Sequence, residues 1–329
     1  AAIGAEALRQ GGKKLSSWSI CFSGEQQGLD YTRAVADYIG TDHREVRIQP
    51  KDFLERLDEA VFAAGEPLGD PSAVLMYMLS AIAAEETEYI LNGTGGSLVF
   101  GGTHMLPVLL RHWYGGMKQG PFFREQAYLS SSCGAYDEQH ALLTPEWRSL
   151  YNPHEGLEDL LTPFFQANWT DNLLDKLSAA NIQLKAGHMQ LPLIERMTGA
   201  YGMSFLSPLS DERLIGLSFR MPSALKLSQG LDKGIIRQAY SQSLPNRLIQ
   251  QGKSGIEFPA HFWLREECKK YARKLLRKRS IKNAGIFNPD RVNELLSLTP
   301  EQTLPQHERA LWLLISFELW RRKVLNEKV

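Results

Sequence analysis

Tyr89-Ile-Leu-Asn92-Gly-Thr-Gly-Gly-Ser-Leu-Val-Phe-Gly-Gly102 is the stretch whose reading decides the fold. Tyr89-Ile90-Leu91 is short, apolar and partly β-branched, as a buried strand is. Asn92 ends it, and Gly93, Gly95, Gly96, Gly101 and Gly102 crowd the positions that follow. Glycine at that density lets backbone amides turn inward and a ligand approach the main chain. A strand running into such a loop at its carboxyl end is where open α/β sheets hold ligands, often nucleotides. A glycine-rich hairpin or surface loop is the alternative, and the glycines alone leave both open.

Upstream of this stretch, strand-like and helix-like segments alternate. Residues 1–10 read as a helix stopped by Gly11-Gly12, and Leu15–Phe22 as a strand. Tyr31–Ile39 is an amphipathic helix closed by Gly40, and His43–Ile48 a second strand. Helical Asp52–Ala64, a Pro/Gly loop from Glu66 to Pro71 and helical Val74–Ala84 lead into Tyr89. Alternation at this spacing predicts βαβ units and a parallel sheet. Beyond Leu106 helical periodicity takes over, in segments that run to His307–Val324. The division expected is residues 1–106 as an α/β nucleotide-binding part and 107–329 as a helical part packed on it.

The 329 residues suffice for one large or two ordinary domains. Lys plus Arg and Asp plus Glu number 37 each, so no global field draws the chain to nucleic acid or lipid. The run Lys269–Lys282 carries eight Lys or Arg residues and reads as a solvated helical face. Cys21, Cys133 and Cys268 are widely separated and fit neither zinc spacing nor a disulfide framework, which favours a reducing, cytoplasmic setting. No apolar run approaches the roughly 20 residues that span a bilayer. His104, His112, His140, His154 and His188 lack metal-ligand spacing. Gly-x-Gly-x-x-Gly fails on spacing, and no Gly-x-Ser-x-Gly elbow is present. The opening Ala1-Ala-Ile-Gly reads as a helix already under way, so the expectation is a fragment of a longer chain.

Several further stretches, in one order, resemble the synthetase domain of glutamine-dependent asparagine synthetases and their relatives. Ser19-Ile20-Cys21-Phe22 resembles the strand bordering the adenine, and Tyr31–Val46 the helix, Gly-Thr-x-His turn and strand that follow it. Glu66-Pro-Leu-Gly-Asp70-Pro is similar to the family's Glu-Pro-x-Gly-Asp loop. Asn92–Gly102 has the frame of its second glycine loop, Ser-Gly-Glu-Gly-Gly-Asp-Glu-Leu-Phe-Gly-Gly. Ile194–Met197, Leu206–Leu214, Lys233–Arg237, Gly252–Pro259 and Leu311–Arg321 resemble later segments.

The resemblance implies a parallel-sheet ATP-pyrophosphatase core, of the adenine nucleotide α-hydrolase type, with a large helical C-terminal half. It implies a domain that binds ATP and Mg²⁺ and adenylates a carboxylate, which an amine then attacks to give an amide and AMP. Negative charge gathers on the α-phosphorus and on departing pyrophosphate, so cations are needed there. Lys253 and Lys233 are the candidates for that role, with a solvent-exposed lysine as the alternative for each. Ile20, Asn92 and Gly93 are expected along adenine and ribose, with Gly95, Gly96 and Ser97 completing the nucleotide-binding loop. Asp70 either orients a loop or metal-bound water or caps a turn before Pro71.

The chain departs from the family's pattern in two places. The first pyrophosphate loop, Ser-Gly-Gly-x-Asp-Ser, is not in the sequence. In the second loop Thr94, Ser97 and Leu98 stand where the family has three acids. Mg²⁺ takes hard oxygen ligands, commonly one or two carboxylates with phosphates and water, so the metal site is weakened and no metal ligand is assigned. The expected partners are ATP, a carboxylate substrate, and a glutaminase-like domain or a peptide substrate, without nucleic acid or membrane. Two readings follow. One is a divergent amide ligase, such as a lasso-type macrolactam cyclase or a β-lactam-forming relative. The other is a pseudoenzyme that keeps the fold as a binding partner or scaffold.

Overall fold

A computed structural model describes residues 1–11, 14–22, 29–102, 105–114, 122–132, 135–150, 156–227, 232–250, 258, 262 and 266–325. The elements that matter below are, in chain order, α1 (Ala2–Gly11), β1 (Ser16–Phe22), α2 (Leu29–Ile39), β2 (Asp42–Ile48), α3 (Pro50–Ala64), α4 (Ser72–Ala83) and β3 (Tyr89–Leu91). There follow α5 (Gly96–Val99), α6 (Leu173–Ala180), β4 (Ser204–Leu206), α7 (Glu212–Phe219), α8 (Gly234–Ala239), α9 (Glu266–Leu275), α10 (Lys278–Ala284) and α11 (Pro305–Lys323). They sort into two compact units. One comprises Ala1–Ile48, Met76–Trp113 and Phe164–Glu257, the other Gln49–Leu75, Tyr114–Pro163 and Phe258–Val329.

The first unit carries the strands. β1 and β2 pair in parallel, Ser16 opposite Asp42 and Phe22 opposite Ile48, with α2 between them in the chain. Such a pairing needs a crossover, and α2 supplies it. Its last turn closes on Gly40, whose φ of 77° lets the amides of Gly40 and Thr41 both reach the carbonyl of Ala36 at 2.8 and 3.0 Å. Ile20 and Phe22 alternate into the core at 6% and 1% exposure. β3 pairs in parallel with β4, Tyr89 opposite Ser204 and Leu91 opposite Leu206. Parallel pairing is therefore as expected, but the described strands make two two-stranded sheets and not one continuous sheet. β4 lies in the part of the chain expected to be helical. Three residues are too few for an alternation to stand out in sequence. The expected helices Asn172–Leu184 and Leu191–Ala200 are joined by a π-helical run, Asn181–Gln190.

The second unit is helical among its described residues, and its core is aromatic. Phe53 of α3 is fully buried, its ring 5.1 Å from Phe262 and 5.2 Å from Phe258, both edge-on. Leu57 and Val61 continue that face of α3, and Leu311, Ile315 and Leu319 the buried face of α11. Pro50 sits at the start of α3, where a missing amide proton costs nothing, and Gly65 closes the helix at φ 69°. Glu318 of α11 is 2% exposed. Arg321 grips it through Nε and Nη2 at 2.9 and 3.0 Å, Arg322 donates to it at 2.8 Å, and the Ser280 hydroxyl donates at 2.7 Å. Burial raises its pKa, and the hydrogen bonds from Arg321, Ser280 and Arg322 more than reverse this, leaving it below the ordinary carboxylate range.

Glu318→Ala leaves two arginines facing each other without their carboxylate, and is expected to lower stability by about 3–5 kcal/mol. Because the folded-state pKa is depressed, the contribution is complete above the unfolded value of about 4.3 and is lost as pH falls through the folded value. Urea unfolding of parent and variant, followed from neutral pH into the acid range, is expected to show their difference shrinking on acidification.

Candidate functional site

The loop after β3 is built by contacts with distant parts of the first unit. The amide of Asn92 extends the β3–β4 ladder by donating to the carbonyl of Leu206 at 3.0 Å. The Asn92 side chain then turns the chain. Its Oδ1 accepts from the amide of Thr94 at 2.9 Å and from the hydroxyl of Ser207 at 2.5 Å. Its Nδ2 is buried with no hydrogen-bond partner among the described residues. Ser210 Oγ donates to the carbonyl of Thr94 at 3.1 Å, pinning the next step of the loop to the segment after β4.

The glycines of the loop differ in purpose. At Gly95 φ is 94°, and a Cβ there would lie 2.2 Å from Ser210 Oγ and 3.1 Å from the backbone of Leu209. At Gly96 it would meet Leu209 Cδ1 at 3.0 Å and the Lys233 side chain at 3.7 Å. At Gly101, with φ 82°, it would press on Lys226 Cβ at 3.2 Å. These three glycines serve close packing of protein on protein. Gly93 is exposed and faces open space, with nothing within 4 Å of the added Cβ. The open side of the loop is therefore at Asn92–Gly93.

Lys233 stands against this loop. It is the only non-glycine residue of positive φ among the described residues, at φ 55° and ψ 38°. A lysine held in that region costs on the order of 1–3 kcal/mol and persists only where its surroundings over-determine it. Its amide donates to the carbonyl of Gly101 at 3.0 Å, and its stem runs past Gly96. Its Nζ lies 2.8 Å from Oδ2 of Asp232, as an ion-pair contact and not an aligned hydrogen bond. Arg237 of α8 holds the other oxygen at 2.6 Å and the Asp232 carbonyl through Nε, also at 2.6 Å. Burial raises the pKa of Asp232, and Lys233 and Arg237 outweigh it, so the carboxyl titrates below its ordinary range. Lys233 is also within electrostatic reach of Ala1, just ahead of α1. Its side chain is 23% exposed, enough to meet a ligand from its paired position.

A second lysine braces the loop from beneath. Lys226 is fully buried, its Nζ 2.9 Å from Oδ1 of Asp175 on α6 and 5.4 Å from the Phe219 ring of α7. Ser218 caps the carbonyl of Val99 at 2.6 Å at the end of α5.

Of the residues singled out in sequence, Asn92, Gly93, Gly95, Gly96, Ser97 and Lys233 fall on or against this one loop. Ile20 is a core residue of β1, opposite Val46 in the other sheet. Lys253 lies outside the described residues. Asp70 is exposed, and its Oδ1 accepts from the amide of Ser72 at 2.8 Å, which is the turn-capping role. Sequence reasoning did not single out Asp232, Ser207, Ser210 or Lys226. The acid beside Lys233 was the one available signal, whereas the serines and Lys226 matter only through contacts far apart in the chain.

Among the described residues the loop does not fit Mg²⁺. Leu98, in place of an acid, is a core residue at 5% exposure. Thr94 and Ser97 bring only neutral hydroxyls, and no group of three His, Cys, Asp or Glu side chains could hold a metal. The unpartnered Nδ2 of Asn92, the open backbone at Gly93 and the Lys233 ammonium do fit a polar, anionic ligand.

A glycine loop at the carboxyl end of a parallel strand, with a lysine arriving from a later helix, defines a class of nucleotide-handling α/β proteins. The chain matches the asparagine synthase family over residues 1–322, and it belongs to that family, whose fold is that of the ATP-pyrophosphatases. It is 21% identical to asparagine synthetase [glutamine-hydrolyzing] 1 of Bacillus subtilis over 333 residues, 93% of this chain and 52% of that protein. It is 22% identical to a putative asparagine synthetase [glutamine-hydrolyzing] of Mycobacterium bovis over 360 residues, 100% of this chain and 53% of the relative. A shorter stretch of 94 residues is 36% identical to a putative asparagine synthetase 2 of Methanocaldococcus jannaschii, covering 28% of this chain and 18% of the other. The chain thus spans about half the length of the first two of these relatives. No helix among the described residues is long and apolar enough to cross a membrane.

Gly95→Ala is expected to lose about 1–3 kcal/mol of stability, through both φ and the collision with Ser210 and Leu209. Gly93→Ala is expected to stay within about 0.5 kcal/mol of the parent. Chemical denaturation of the two variants side by side checks the contrast.

Proposed function

We propose that the chain is an ATP-dependent amide-bond ligase that adenylates a carboxylate and delivers the acyl-adenylate to an amine, with AMP as the other product. The observation that carries this reading is Lys233, held in a strained conformation along Gly96 of the loop that follows β3. Strain of that kind concentrates where an ammonium has to be in one place. In this reading Lys233 meets the phosphates of ATP, which supplies the activating adenylyl group. Asp232 and Arg237 hold the lysine ready, so that its charge is positioned before negative charge develops. Asn92 offers its unpartnered Nδ2, with Gly93, Gly95, Gly96 and Ser97, to the nucleotide. Ile20 borders the adenine and Lys253 is a second phosphate cation. Residues 1–106 act as the nucleotide-binding part and 107–329 as the helical part. No step is assigned to Mg²⁺. The amine comes from ammonia delivered by a glutaminase-like domain, or from the substrate's own amino group in a peptide.

ATP–pyrophosphate exchange by the full-length protein, with aspartate and with peptide carboxylates, tests the reading. Exchange is expected with one of them, and Lys233→Ala and Lys253→Ala are each expected to lower its rate about 10²-fold. Nucleotide binding without exchange across the panel would move the chain to the scaffold reading. Unchanged exchange in Lys233→Ala would remove the site assignment while leaving the family intact.

A further inference from the structure

The helical second unit contains a feature that the ligase reading does not use, an open cavity of about 850 Å³ between α9, α10 and the last turn of α11. Its size is that of a small-molecule site. Among the described residues five cations line it, Lys274, Arg277, Arg279, Arg322 and Lys323, against a single acid, Asp58. The acid is already engaged, since Asp58 lies 2.8 Å from Lys323 Nζ and accepts from the Tyr271 hydroxyl at 3.1 Å. Arg322 is engaged as well, donating to Glu318, to the carbonyl of Leu275 at 2.7 Å and to Ser280 Oγ at 2.9 Å. The side chains of Lys274, Arg277 and Arg279 make no hydrogen bond or ion pair among the described residues.

A solvated basic face is the ordinary explanation for such a run, and it accounts for part of the pattern. Lys274 closes α9, where a cation is favoured by the helix dipole. Arg277 and Arg279 do not follow that rule. They flank the opening of α10, which has no acid in its first turn, and Lys278 between them is already paired with Asp290 at 2.7 Å. Arg277, Arg279 and Lys274 gather on one concavity without a carboxylate partner among the described residues, which makes the local potential positive and attractive to an anion. Guanidinium groups suit phosphate oxygens, which they meet with two parallel hydrogen bonds.

We propose that this cavity binds a small soluble anion carrying two or more phosphate groups, held by Arg277, Arg279 and Lys274. The site shares no residue with the glycine loop and is independent of the ligase reading. Concavity favours a small molecule over the extended backbone of a nucleic acid, for which a long exposed track of charge is needed.

Isothermal titration of the full-length protein with inorganic tripolyphosphate tests the proposal. Saturable binding is expected, weakening as ionic strength rises, with orthophosphate at least about tenfold weaker. The Arg277→Ser/Arg279→Ser double variant is expected to lose at least about tenfold in affinity for this component of binding, and the same component to persist in Lys233→Ala, which removes only phosphate binding at the glycine loop. Both arginines are exposed, so the variant is expected to keep the parent's circular dichroism spectrum. Lys274→Ser, also exposed, gives a separate reading of the same loss. Absence of saturable binding, or equal affinity in parent and variants, overturns the proposal. So does tighter binding of a DNA duplex or of anionic phosphatidylglycerol vesicles through the same residues.

Discussion

The close approach of Gly95 to Leu209 and Ser210 is the constraint on which the candidate site depends. A side chain at that position would have to occupy space already held by Ser210 Oγ at 2.2 Å. The contact joins the end of β3 to the segment after β4, and the ladder from Asn92 to Leu206 and the hydrogen bond from Ser207 to Asn92 follow from the same docking. Once the loop is seated there, Gly96 leaves a groove for the Lys233 stem and Gly101 accepts its amide. The strained lysine is therefore a consequence of how two backbone segments meet. Loop, lysine and the buried Asp232–Arg237 pair form one mechanical unit inside the strand-bearing part of the protein.

Much of this was legible in the sequence because it is local. The Tyr89–Leu91 strand, the break at Asn92 and the helix closed by Gly40 follow from short-range rules and appear where read, although the strand is not buried as its apolar run suggested: Tyr89 and Leu91 are exposed, because a two-stranded sheet leaves one side open. Resemblance to asparagine synthetases pointed to Lys233 and the loop, and family membership agrees with it. What the sequence did not reveal depends on distance along the chain. The density of glycines is visible, but which of them packs and which is open is decided by Leu209, Ser210 and Lys226, more than a hundred residues later. β4 is three residues long, too short to announce itself within a helical half. The basic run ending at Lys282 is plain in the sequence, whereas the hollow it lines requires α11 and Asp58 to come alongside.

Charge is handled differently in the two units. In the first, Lys226 and Asp175 are paired away from water, and Asp232 is shared by two cations, so each charge has an assigned partner. In the second, Glu318 is likewise shared, by Arg321 and Arg322. The cations around the cavity break that pattern, which is why the cavity and not the total charge attracts notice. Over the whole chain, 37 acids and 37 bases cancel.

Leu98 limits what the loop can hold. With 5% exposure it belongs to the hydrophobic interior, at a position where the loop pattern that the sequence resembles has an acid. Returning an acid to that position would bury a charge among Val99, Phe100 and their neighbours with no cation assigned to receive it. An acid there would have to stay neutral or swing out to water, so the apolar floor of the loop and its lack of an anionic ligand are one and the same feature.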